Sequence, residues 1–170
     1  MSDTGLARVL AVHLGVLALL FAAQFALPAY HHGIVSRVMV LAVFAIGYNL
    51  VFGYAGMLSL GHAMFFAAGM YGAGLPVYHA GWSVAPAFLF GIACGAALAA
   101  AVGALALRTT GVAFMIVTMM FGQVGYLLAL WFGDWTRGEE GLTIAQGLRV
   151  LGPLHLTDPA ARYFIALSLL

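Results

Sequence analysis

Lysine is absent from the chain, and its only cations besides histidine are six arginines, set against five acidic residues. Charged residues make up 6% of the total, where a soluble domain carries about 25%. So little charge, with 65% apolar residues and a mean hydropathy of +1.09, excludes an ordinary soluble domain and points to an integral membrane protein. A net charge of +1 without a basic run gives no footing for nucleic acid. Cys94 is the single cysteine, so no intrachain disulfide forms, and no Cys/His spacing suits zinc. No metal and no other cofactor is expected. Nucleophile elbows, H-E-x-x-H and Walker A sequences are missing as well, and no Asp or Glu sits inside an apolar run to relay protons. An enzyme would lack its nucleophile, its acid and its metal.

What is present is hydrocarbon-compatible chain. Between Arg37 and Arg108 no charged residue occurs, which leaves room for about three crossings at ~20 residues each. Taken in order, Met1 to Arg8 is a short polar start and Val9–Pro28 a first apolar run, read as a retained span over a secretory leader because it is long for a leader core. Ala29–Arg37 reads as a polar junction in which His31 and His32 are solvated at the interface. Further spans are predicted over Val38–Phe52, Ala63–Tyr78, Val84–Leu107 and Val112–Phe132, and a sixth helix starts at Tyr163. The fold expected is an all-α polytopic transmembrane bundle of about five spans plus the start of a sixth, as one domain over residues 1–170.

Gly47–Gly74 interrupts this pattern. Gly53, Gly56 and Gly61 break the helix, and Ser59 and His62 lie among apolar neighbours where a lipid-facing helix would not put them. Such a break survives in a membrane only where protein or a water-lined cavity satisfies the freed backbone groups. His62 is either a neutral side chain bonded to a nearby carbonyl or a titrating relay, and the first reading is preferred. Thr118 either bonds back one turn or lines a pathway. Gln123 is harder to dismiss, because a primary amide has four hydrogen-bonding positions to satisfy. Gly91, Gly95, Ala99 and Gly103 recur four apart on one helix face, a seam for close helix packing. Tyr78 and Trp82 suit the headgroup belt. Gly133–Ala161 gathers all the acids except Asp3, and Asp134, Glu139 and Glu140 read as a solvated loop or small cap rather than a cation site. Arginine placement favours a cytoplasmic N-terminus, with Arg137 and Arg149 pulling the other way.

The stretch YNLVFGYAGMLSLGHAMFFAAGMYGAG resembles the signature of the branched-chain amino-acid ABC transporter permeases. LRTTGVAFMIVTMMFGQ and TRGEEGLTI are similar to two later blocks of that family, in the same order. Met57 stands where the family commonly has Gln, and Arg137-Gly138-Glu139 where a second glycine is usual. The resemblance implies an importer's permease subunit in a prokaryotic inner or plasma membrane, hydrolysing nothing itself. Its implied partners are a second permease subunit in a hetero- or homodimer, two cytoplasmic ATPase subunits, a periplasmic or surface solute-binding protein and the lipid bilayer. It also implies a longer protein, with the coupling segment beyond Leu170. Asn49, Tyr54, Ser59, His62, Phe65, Phe66, Thr118 and Gln123 are the candidate pathway residues. Gly53, Gly56 and Gly61 are candidate hinges, and Gly91, Gly95 and Gly103 candidate packing positions. Branched-chain or related amino acids are the expected cargo. Two rivals remain: a small secondary carrier or channel for a neutral polar solute, and a purely structural membrane subunit.

Overall fold

The computed structural model describes residues 3–151 and 154–170, and its packing divides the chain into two units, Met1–Val43 with Leu156–Leu170, and Phe44–His155. In the first unit, α1 (Asp3–Ala26) ends ahead of Pro28, whose ring cannot continue a helix, and α2 (Ala29–Asn49) opens directly after it. The predicted polar start is thus helical from Asp3, and the predicted junction over residues 29–37 is instead the first turns of α2. The reason lies in His32. Its Nε2–H donates to the Gln24 carbonyl at 3.1 Å, one of the carbonyls that the end of α1 leaves without an intrahelical partner. The Ser36 hydroxyl donates to the His32 carbonyl at 2.7 Å. His31 is exposed as expected, but His32 is buried: its polar edge is used inside the protein and not in water.

The last helix, α7 (Pro159–Leu169), starts where the Asp158 carboxylate accepts from the Ala160 N–H at 3.0 Å, with Pro159 in its first turn. Tyr163 is fully buried and donates its hydroxyl to the Leu20 carbonyl at 2.6 Å. With Met39 and Ala166 it forms the core of this unit.

The second unit is built on α3 (His62–Ala80), α4 (Val84–Ala106) and α5 (Gly111–Trp131). A left-handed Gly81, φ 65°, ends α3 by returning its N–H to the Pro76 carbonyl. Small residues decide how closely α3 and α4 approach. A Cβ on Gly91 would stand 2.6 Å from the Gly69 carbonyl oxygen and 2.9 Å from the Ala73 Cβ, and one on Gly95 would meet the Phe65 carbonyl oxygen at 3.4 Å. At Gly103 a Cβ would meet nothing within 4 Å, so the close seam covers only the first half of α4. Val102, Ala106 and Phe114 make the core where α4 and α5 meet.

The segment after α5 is folded rather than merely wet. It contains α6 (Gly133–Thr136), two single 3-10 turns and an antiparallel pair, β1 (Val150–Leu151) with β2 (Leu154–His155). Thr136 anchors it: the buried hydroxyl donates to the Ala129 carbonyl at 2.5 Å and accepts from the Gly138 N–H at 3.2 Å. Arg137 has φ 64° and Gly138 φ 50°, so the position where the resemblance leads one to expect a second glycine is a left-handed one that Arg137 occupies.

Among the described residues four helical stretches are long and apolar enough to cross a membrane: Ala7–Ala26, Tyr30–Tyr54, Val84–Ala106 and Gly111–Trp131. α3, with Pro76 inside its 19 residues, is not among them. The prediction of about five spans is therefore met for four. Their outer faces are apolar, with Leu14 64% exposed and Leu19 68%, as suits helices solvated by lipid.

Gly91→Ala should lower the melting temperature of the solubilised chain by on the order of 5 °C through overpacking of the α3/α4 seam, whereas Gly103→Ala should leave it unchanged or slightly raised. Equal shifts in a thermal unfolding comparison would mean that the seam does not set the helix spacing.

Candidate functional site at a broken helix

The break begins with a loosened turn. Past Asn49 the α2 ladder widens into one π-helical turn, Leu50–Tyr54, in which the Ala55 N–H reaches the Leu50 carbonyl at 3.2 Å. Gly53 leaves room for the Asn49 amide to fold over it, since a Cβ there would collide with Asn49 Oδ1. Gly56 at φ 67° then turns the chain out of the helix, and no regular structure resumes until His62.

Between those points the exposed backbone is met by α5. The Leu60 N–H donates to the Thr118 hydroxyl at 3.2 Å, and that hydroxyl donates in turn to the Met115 carbonyl at 3.0 Å. The back-bonded reading of Thr118 is the one the geometry shows: the back-bond orients the hydroxyl, and its lone pair receives the broken segment. A Cβ on Gly61 would overlap the Thr118 carbonyl, and one on Gly122 would stand 3.2 Å from the Gly61 Cα. Backbone thus lies on backbone. Ser59 is 4% exposed, and its hydroxyl has no hydrogen-bond partner among the described residues.

His62 opens α3 beside this contact. Its ring is half-buried and walled by aromatic rings, with centroids at 5.3 Å to Phe44, 5.3 Å to Tyr48 and 5.8 Å to Phe65. Phe66 lies 5.3 Å from Phe44. Among the described residues the imidazole makes no hydrogen bond, so the carbonyl partner expected for it is not there. Asn49, Tyr54 and Gln123 are exposed, Tyr54 at 83%.

Phe44 and Tyr48 were not singled out by sequence reasoning. A signal existed: Phe44, Tyr48 and Phe52 recur four apart, the first two on one face of α2 and Phe52 in the π-helical turn that follows, with Tyr48 and Phe52 stacked at 6.1 Å. Among the described residues no group of three His, Cys, Asp or Glu side chains is close enough to hold a metal ion.

Thr118→Val should leave the Leu60 amide buried without an acceptor, at a cost of about 1–3 kcal/mol. Hydrogen exchange across residues 57–61 should rise about tenfold or more, while Thr109→Val, whose hydroxyl bonds only within its own turn to Ala106, leaves that segment unchanged. Unaltered exchange in Thr118→Val would remove this contact as the support of the break.

The family model described as the branched-chain amino acid transport system permease component matches residues 30–170. No curated protein and no solved structure matches the chain. The match takes in the helix break, the His62 aromatic cluster and the Thr136 anchor together, with three of the four helical stretches long and apolar enough to cross a membrane. With most of its length so covered, the chain is a multi-pass membrane protein that belongs to the branched-chain amino acid transport permease family.

Proposed function

We propose that this chain is a permease subunit of an ABC importer in a prokaryotic inner or plasma membrane. With a second permease it forms the pathway for branched-chain or chemically related amino acids. A solute-binding protein delivers the cargo, and two cytoplasmic ATPase subunits drive the cycle. The observation that carries this reading is the break between Asn49 and His62, with a buried hydroxyl at Ser59 and an imidazole that has no protein partner among the described residues. A zwitterionic amino acid needs uncharged hydrogen-bonding groups for its termini and an apolar wall for its side chain. Ser59 and His62 are of the first kind, and Phe44, Phe65 and Phe66 of the second. The glycines at 53, 56 and 61 are the hinge, because each holds a conformation or a contact that a side chain would obstruct.

Contacts of this strength suit a conduit. Deep trapping would slow release, so affinity belongs to the binding protein and the membrane site only guides. Asn49, Tyr54 and Gln123 enter such a pathway on their exposed faces, where the second permease contributes the facing wall.

The test uses the complete transporter in proteoliposomes or cells. His62→Leu should reduce ATP-dependent leucine uptake about tenfold with expression and assembly intact, and Phe44→Ala should reduce it with a change in preference among aliphatic side chains. Uptake that persists without ATPase partners would favour a secondary carrier. Full uptake by His62→Leu would take the imidazole out of the pathway.

A further inference from the structure

At the far end of α3 from His62, a cavity of about 520 Å³ opens between α3, α4 and Trp135. We propose that it is a binding slot for one acyl chain of a membrane phospholipid. Residues 62 and 79 are separated by about 25 Å of helix, so this is not the solute site described above. Its rim is aromatic: Trp82 is 44% exposed, Trp135 61% and Phe90 46%. His79 fixes that rim, donating from Nε2 to the Trp135 carbonyl at 2.9 Å with the two rings 5.0 Å apart.

The floor lies at Gly72 and Cys94, where a Cβ on Gly72 would stand 3.0 Å from the thiol sulfur. α4 crosses the membrane, and Trp82 precedes its first residue, Val84, at the level where tryptophan borders the headgroups. Cys94 is ten residues further on, about 15 Å at 1.5 Å per residue, which is the middle of a hydrocarbon core about 30 Å thick. The slot therefore runs from the headgroup level to the bilayer midplane, the depth of one leaflet.

Three occupants are conceivable, and magnitude separates them. An amino acid finds no charged partner, since no Asp, Glu or Arg lines the slot, the His79 ring is committed to a carbonyl, and the walls, Tyr71 and Cys94 included, are almost wholly apolar. Water is not retained in an apolar cavity of this kind. A second helix is too wide to enter: the whole space between the atoms there, about 930 Å³, spread over about 15 Å is a mean section of about 60 Å², whereas a helix 10 Å across needs about 80 Å². A single hydrocarbon chain fits that section and is what the bilayer supplies at that depth.

The test uses the full chain in lipid nanodiscs, with Trp131, which is not part of the slot, replaced by Phe. Phosphatidylcholine brominated in its acyl chains should quench the Trp82 and Trp135 emission saturably, reaching half its effect at a brominated fraction several-fold below that for free indole in the same discs. Leu75→Phe, which fills the slot, should abolish this excess and cut the single phospholipid adduct seen in native mass spectrometry at least threefold, at unchanged melting temperature. Quenching that follows the bulk lipid fraction, an adduct indifferent to Leu75→Phe, or tryptophans shielded from brominated lipid altogether would each overturn the proposal.

Discussion

A backbone that leaves its helix inside a membrane must find its hydrogen bonds elsewhere, and in this protein the Thr118 hydroxyl supplies one of them. An unsatisfied amide in hydrocarbon costs several kcal/mol, enough to straighten a helix whose break had no partner. The Leu60 N–H meets Thr118 at 3.2 Å, and Gly61 brings the chain close enough for that contact because it has no Cβ to strike the Thr118 carbonyl. Remove either feature and the segment from Gly56 to Gly61 loses its reason to stay open. The position of His62 at the start of α3, and with it the aromatic cluster, depends on that break.

Small residues act in the same way elsewhere. Gly91 and Gly95 let α4 lie against α3 at backbone distance, and Gly122 does so for α5 against the break. In lipid the hydrophobic effect gives no drive for helices to associate, so close van der Waals contact and shared hydrogen bonds must hold them together. That is why the glycines fall at contacts, while the large apolar side chains are turned outward and exposed.

Polar residues that looked idle in the sequence prove to be fasteners for helix ends. His32 occupies a carbonyl that α1 leaves open, Thr136 holds the chain after α5, and His79 secures the rim of the α3/α4 slot. None of the three has a charged partner, in keeping with a protein that carries few charges. Arg137 is a different case: it holds a left-handed conformation that glycine would adopt freely, and its exposed pairing with Glu140 at 2.9 Å contributes little against that cost.

The spans over α1, α4 and α5 were legible because a run of about 20 apolar residues has few alternatives in a bilayer. The break at Gly53–Gly61 was legible too, since glycine and polar residues in such a run are costly anywhere else. Composition and motif order by themselves determined the class, the family and the place of the interruption. The sequence could not say that α2 begins at Ala29, that His32 is buried, or that Phe44 and Tyr48 enclose His62, because each depends on a group far along the chain or on another helix. Nor could it tell Gly103, which packs against nothing, from Gly91, which lies on α3: both keep the same four-residue spacing. Periodicity fixes which residues share a face, but what that face meets is decided only when helices distant in sequence come within a few ångströms of one another.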